Sequence, residues 1–366
     1  MTGQLRVVGV RQHRHRAALL RPFVTSARRT EAVEYVVAEV ELADGSIGQG
    51  SAAETVAVTG ETADSIQAAL AGPLRAALEG ASGTVTELAA AIAATDAGSS
   101  ARAALDIALH DAWARSLGQP LVSALGGDPD LVLTNDMTIS LEAPDVMAGH
   151  AREAVATGEE ILKIKLGRDI EEDRRRLAAV CEAAPGVRLR LDANQGWTPE
   201  QAIEIINGFA AGPWPIDLVE QPVPAADLAG LARVRAAVEL PIMADEAVWT
   251  AADARRIVEA EAADLLNIKL AKTGGLGEAL AIADVAAEAG LACMVGAMME
   301  PRISITAAAH LACAHPAITM IDLDPPAWFT STAPAGGYRQ QGSQLRLLGG
   351  PGLGLERLAA ETDLSS

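Results

Sequence analysis

Aromatic side chains make up only 3% of this 366-residue chain, so little of its interior can be built from rings. Half of the residues are hydrophobic, and alanine and glycine are abundant, so the core must be packed mostly from aliphatics. The length suffices for one large domain or two smaller ones, each with a sizeable core. Basic residues are also scarce: 29 Lys and Arg against 48 Asp and Glu leave a formal charge of −19 and a pI near 4.7. That balance argues against nucleic acid or an anionic membrane as a partner. The three cysteines, Cys181, Cys293 and Cys313, have no CxxC spacing, and an odd number does not suggest a disulfide framework. No apolar run reaches the ~18 residues of a membrane span, and the start has no signal-peptide pattern. A soluble, cytoplasmic protein is expected.

Residues 4–12 and 32–41 read as strands, and Ala43-Asp44-Gly45 before 46–50 is a turn signal, which together predict a small antiparallel meander. Helical patterns follow at 62–78, 86–94 and 99–117. The last carries a stripe of Ala103, Ala104, Ile107, Ala108, Ala112 and Trp113, with Gly118 to stop it. An α+β domain over 1–127 is expected, with loops 21–29 and 51–60 as candidate lids.

From Leu131 the pattern alternates strand and helix, with strand-like runs ending at Ile139, Leu166, Ala193, Gln221, Ala247, Ala271, Met298 and Asp324. Charged residues close several of these runs: Lys165, Asp192, Glu220, Asp245 and Lys269, at steps of 27, 28, 25 and 24 residues. A βα unit repeated at that period is the arithmetic of a (β/α)8 TIM barrel, typically ~250 residues. An open doubly wound sheet competes, but no Gly-rich phosphate turn follows the first strand. The expected division is a barrel over 128–330 and a segment, 331–366, packing back on the first domain.

The barrel reading turns isolated charges into a constellation. In ILKIKLG (161–167), Lys163 and Lys165 lie two apart and so share a face of a strand. Alone they would suit an exposed edge strand guarded against aggregation. A single carboxylate such as Asp192 in RLRLDAN would suit a helix N-cap. With Glu220 in DLVEQP and Asp245 in PIMADEA, however, three acids stand at equivalent ends of three consecutive strands. Three hard oxygen ligands suit Mg²⁺, and the lack of His or Cys among them argues against zinc. Lys165 and Lys269, on strands two and six, face each other across the mouth. A substrate carboxylate held on the metal would have its α-carbon between two amines. The metal would stabilise the enediolate formed by α-proton removal. A lysine made neutral by the nearby Mg²⁺ and Lys163 would serve as base, and the opposite lysine would return a proton to the other face.

KIK at 163–165, Asp192, Glu220, Asp245 and IKLAKTGG from Ile268 resemble the muconate-lactonizing subgroup of the enolase superfamily. The resemblance runs along nearly the whole chain and includes GGPGLGL from Gly349. It implies a modified (β/α)7β barrel under an N-terminal capping domain, Mg²⁺ as cofactor, and the lysine-base, ene-diolate chemistry known for that superfamily. It leaves the reaction open, since cycloisomerases, o-succinylbenzoate synthases and N-acylamino-acid racemases share the set. A catalytically silent metal-binding barrel is a further alternative.

Asp322 and Asp324, in MIDLDPP on strand eight, narrow the choice. An Asp-Pro turn accounts for Asp324 but not for Asp322. Two inward carboxylates opposite the metal would receive a cation such as an α-ammonium, and an extended dipeptide spans the ~7 Å that two residues cover. This Asp-x-Asp resembles the signature of dipeptide epimerases, isomerases that invert the C-terminal residue, most closely those acting on L-Ala-D/L-Glu. The resemblance assigns Arg28, in PFVTSARRT, to the glutamate side chain, and places Met298 and Glu300 of AMMEPRIS, with Thr138, near the pocket. Structural roles are expected for all six histidines. The expected partner is a small dipeptide, and the expected assembly is a homo-oligomer.

Overall fold

The N-terminal hairpin is longer than its apolar pattern predicts. Leu5–Val24 and Arg29–Leu42 pair antiparallel from Val7↔Leu42 out to Val24↔Arg29, so residues 13–24 continue the first strand. The ladder slips between Ala18 and Phe23, and the outer end lies against the barrel rim, where Val24 O accepts from Leu141 N at 3.1 Å and Thr330 N donates to Ala18 O at 3.0 Å. The structure, a computed structural model, describes residues 3–24, 29–167, 169–331 and 333–359.

A third strand, Ile47–Ala53, completes the meander. Its glycines are set by close packing: a Cβ on Gly48 would stand 2.2 Å from Ala108 O, and one on Gly50 2.0 Å from Ala104 O. Both oxygens belong to the helix Ser99–Ser116, which lies directly on the sheet. The single helix expected over 62–78 is two, Ala63–Ala71 and Pro73–Leu78, because Pro73 has no N–H to continue the ladder and takes the first position of a new helix. The helix Ser99–Ser116 is buried on nearly all sides, and its Asp106 accepts from Leu276 N of the barrel at 2.7 Å.

The barrel strands are Met137–Ile139, Ile161–Lys165, Arg188–Asp192, Ile216–Glu220, Ile242–Ala244, Leu265–Ile268, Ala292–Gly296 and Ile318–Asp322, neighbours in that order and all parallel. Several apolar runs extend past their strands. After Ile268, for instance, Leu270–Thr273 turns into a short helix with Lys269 as its N-cap residue. Side chains bridge the first and eighth strands: Thr138 N donates to Asp324 Oδ2 at 2.8 Å, and Leu323 N to Asn135 Oδ1 at 2.7 Å.

Beyond the barrel, Tyr338–Gln341 and Gln344–Leu347 form a hairpin that pairs with Val132–Thr134. The chain then crosses to the N-terminal domain, where Leu353 N meets Asp111 Oδ1 of the helix Ser99–Ser116 at 2.7 Å and Arg357 grips the buried Glu39 of the sheet with two 2.7 Å contacts. Burial pushes Glu39 up, but the Arg357 guanidinium outweighs it and holds the carboxyl at about 2. The folded pKa therefore lies below the unfolded one, so this pair stabilises the fold above the ordinary glutamate range. That contribution is lost as pH falls from about 4.5 toward 2. Glu39→Gln should flatten the acid limb of a thermal-midpoint-versus-pH curve in that window. An unchanged limb would show that the pair does not fasten this segment. Among the described residues, no helix is long and apolar enough to cross a membrane.

Candidate active site

The parallel ladders bring the charged strand ends level with one another: Lys165 pairs with Asp192, and Asp192 with Glu220. Asp245 follows the fifth strand and Lys269 the sixth, which continues the row around the rim. All of these residues are buried. Ile161–Lys165 is an interior strand, and Lys163 is 1% exposed, which disposes of the edge-strand reading.

Lys163 Nζ lies 2.7 Å from Glu220 Oε2, 2.7 Å from Asp322 Oδ2 and 3.4 Å from Asp192 Oδ2. Lys165 Nζ is 2.5 Å from Asp192 Oδ2, on one flank. Lys269 Nζ is 2.7 Å from Asp245 Oδ2 and 3.9 Å from Glu220 Oε1, on the other. Strands two and six are diametrically placed in a ring of eight, so the two lysines approach the central acids from opposite sides.

In this arrangement no group of three His, Cys, Asp or Glu side chains among the described residues is set to hold a metal ion. Lys163 and Lys269 are seated between the three carboxylates and neutralise them directly. The donor chemistry nonetheless fits a divalent cation: all-oxygen, acidic and buried. Negative charge is also in excess. Burial and the neighbouring Asp192 carboxylate push Glu220 up to about 7, and burial with Asp245 does the same to Glu246. Against their burial, the surrounding acids hold Lys163 and Lys269 above the ordinary lysine range, with Asp322 foremost for Lys163 and Asp245 for Lys269. Without a competing cation, each acid lends its charge to an ammonium rather than withdrawing it.

Across the mouth, Asp322 is paired with Lys163, which outweighs burial and holds the acid down at about 2. Asp324 does not serve as a simple turn cap. Its Oδ2 accepts from Thr138 N and, at 3.1 Å, from Trp328 Nε1, while burial and Asp322 push it up to about 6. Both acids, with Lys163, Lys165, Lys269, Asp245, Thr138 and Met298, line one cavity of about 340 Å³. That volume suits a small ligand. Phe23 from the long hairpin, and Ala57 and Val58 from the loop after the third strand, form part of its wall. Asp192 and Glu220 lie beneath the lysines rather than on the cavity surface.

Glu300 is a correction. It does not line the cavity; its carboxylate folds back to accept from Met298 N at 3.0 Å, which shapes the loop that presents Met298. Arg28 lies outside the described residues. Among those described, the cations on the cavity wall are the three lysines. Histidines occur in supporting places: His310 Nδ1 accepts from Val122 N at 3.0 Å, and His110 Nδ1 meets Asp106 O at 2.8 Å.

Several functional neighbours escaped the sequence reading. Lys272, three residues past Lys269 in the same motif, bonds both the backbone oxygen of Asp245 and, at 2.6 Å, its Oδ1. Gln221 accepts from Asp245 N at 2.9 Å and Ala247 N at 3.1 Å, and Asn267 donates to Glu220 Oε1 at 2.9 Å. Asn194, Gln195 and Gln221 have φ of 44°, 64° and 37°, left-handed conformations that cost non-glycine residues roughly 1–3 kcal/mol each. Such strain clusters at sites of function, and all three flank the acidic row. No spacing rule exposes a strained backbone in a sequence; only the polar DANQ and EQP runs after strands three and four hint at it.

The family described as mandelate racemase/muconate lactonizing enzyme, N-terminal domain, matches residues 8–126, and enolase C-terminal domain-like matches 146–360. The L-Ala-D/L-Glu epimerase of Clostridium acetobutylicum is 40% identical over 92% of this chain and 95% of its own. A substrate-liganded complex of the L-Ala-D/L-Glu epimerase from Bacillus subtilis superposes with a TM-score of 0.93 at 37% identity, covering 96% of this chain and 99% of that one. A dipeptide epimerase from Enterococcus faecalis, complexed with Mg and L-Leu-L-Tyr, superposes at 0.89 and 35% identity, covering 96% of this chain and 100% of that one. With two opposed lysines over an acidic row, the chain belongs to the enolase superfamily, in its mandelate racemase/muconate-lactonizing branch, as a dipeptide epimerase.

Proposed function

We propose that this enzyme epimerises L-Ala-D/L-Glu at the C-terminal residue by a two-lysine 1,1-proton transfer dependent on Mg²⁺. The observation that carries the reading is the placement of Lys165 and Lys269 on opposite sides of a cavity that Asp322 and Asp324 also line. Asp192, Glu220 and Asp245 would hold the metal. When bound, Mg²⁺ supplies the positive charge that stabilises the doubly negative product of α-proton removal. Lys163, on the cavity wall above Asp192 and Glu220, keeps those acids in place. Lys165 and Lys269 each hold or give a proton on one face of the α-carbon. Asp322 and Asp324 take the α-ammonium, which fixes which residue of the dipeptide lies between the lysines. Thr138 and Met298 form the walls. The hairpin carrying Phe23 and the loop carrying Ala57 and Val58 cover the mouth and exclude water. Arg28, which in sequence immediately precedes the second hairpin strand at Arg29, is assigned to the glutamate side chain. Preference for an acidic second residue rests on it and on the likeness to the two L-Ala-D/L-Glu epimerases. The chain divides at 127 and 330 into cap, barrel and returning segment.

The test is incubation of L-Ala-L-Glu with enzyme and Mg²⁺ in D₂O, followed by mass spectrometry and NMR. Deuterium should enter the glutamate α-position as L-Ala-D-Glu accumulates. N-acetyl-L-Ala-L-Glu, which lacks the ammonium, should react poorly. Deuterium at the alanine position, or equal turnover of the acetylated compound, would overturn the assignment of Asp322 and Asp324. Faster exchange in neutral dipeptides would overturn the preference for glutamate.

A further inference from the structure

Arg190 lies on the third barrel strand, level with Lys163, and is 3% exposed. It reaches across the barrel interior to the junction of the first and eighth strands. There its Nη1 donates to Asp136 Oδ2 at 2.7 Å and to Ile321 O at 3.0 Å. Asp136 is wholly buried. Its Oδ1, and Nε of Arg190, have no hydrogen-bond partner among the described residues. A buried ion pair with polar atoms left over is a poor way to gain stability, since an apolar pair of similar volume does as well or better. What it does provide is a fixed position for what it touches. Ile321 immediately precedes Asp322. The neighbours of Asp136 hold the same short segment: Asn135 accepts from Leu323 N, and Thr138 N donates to Asp324. Every residue from Ile321 to Asp324 is thus fastened, with Lys163 supplying the bond to Asp322.

We propose that Arg190 and Asp136 are positioning residues that set Asp322 and Asp324 at the spacing a substrate ammonium requires, and so contribute to selection of free dipeptides over N-acylated ones. This rests on the reading of Asp322 and Asp324 as the ammonium site. The two bonds do separate work: Asp136 anchors the guanidinium, and the second bond carries that anchor to the strand bearing Asp322.

The test compares steady-state kinetics on L-Ala-L-Glu and on its N-acetyl derivative, with thermal midpoints measured in parallel. The double variant Arg190→Met with Asp136→Leu removes the clamp without leaving a lone buried charge. KM for L-Ala-L-Glu should rise roughly 10- to 100-fold, the range that loss of one bond to a charged group gives, with kcat within about threefold and the acetylated compound unaffected. Should that variant fail to fold, Arg190→Lys keeps the charge, but its shorter side chain stops short of the point from which Nη1 bonds both Asp136 Oδ2 and Ile321 O, and a smaller KM rise of the same selectivity is expected. A lowered midpoint with unchanged KM in either variant would make the pair merely structural and overturn the proposal. If the wild-type enzyme does not distinguish the two substrates, the ammonium site itself fails and the clamp's role with it.

Discussion

Lys165→Ala and Lys269→Ala should each lower the rate of epimerisation by about 10³-fold or more, toward the upper end of what a positioned acid–base group contributes. Neither variant should be inert. With one amine removed, the other still faces its own side of the α-carbon and can exchange that proton with solvent, but no partner remains to deliver a proton to the opposite face. In D₂O, one variant should therefore wash deuterium into L-Ala-L-Glu without inversion, and the other should do so only with L-Ala-D-Glu. Both variants should fold, because the acids they abandon keep other cations: Asp192 retains Lys163 at 3.4 Å, and Asp245 retains Lys272 at 2.6 Å. Exchange of the same antipode by both variants would mean that the lysines share a face and would break the mechanism, as would full activity in either one.

The opposed placement of the two lysines was legible in the sequence because barrels translate position into geometry. A strand-end charge recurring every 24–28 residues can only lie on the rim, and residues four strands apart can only oppose each other. Asp322 and Asp324 were legible for the same reason. What escaped was whatever depends on side chains turning back on their own loop. Glu300 reads as a pocket acid because it follows Met298 and Met299 past the seventh strand, yet it serves a backbone amide two residues away. Lys272 is only one letter of the IKLAKTGG run in the sequence, yet from the short helix Leu270–Thr273 it folds beneath Asp245. The extension of the first strand to Val24 was hidden by residues 13–16, HRHR, whose polar side chains break the apolar strand pattern but are carried by a two-stranded ladder with the register His13↔Val37 and Arg14↔Val36. The direct contacts escaped too: the sequence places lysines beside a metal site, but only the distances show Lys163 and Lys269 seated against the acids themselves.

The same competition predicts how the protein responds to Mg²⁺ itself. In the structure, Lys163 and Lys269 neutralise the three rim acids, and Glu220, placed between Asp192 and Asp245, sits at about 7 through burial and their charge. A dication at this point would meet acids already oriented and short of positive charge, while the lysines, released from direct pairing, would be freed toward the cavity. Binding to the folded state alone stabilises it by RT ln(1 + [Mg²⁺]/Kd), or about 2.7 kcal/mol at a hundred times Kd. The thermal midpoint of wild-type protein stripped with EDTA should therefore rise by several degrees as Mg²⁺ is restored, and epimerisation should return over the same concentration range. Glu220→Gln removes the central charge while keeping a side chain of the same shape. In that variant the midpoint should no longer respond to Mg²⁺ at concentrations that saturate the wild type, even though the metal-free protein stays folded. Lys272→Met should shift the titration less, since it removes a bond that orients Asp245 but leaves all three acids in place. A wild-type midpoint indifferent to Mg²⁺, with turnover undiminished in EDTA, would mean that the lysines alone neutralise these acids and that no metal takes part.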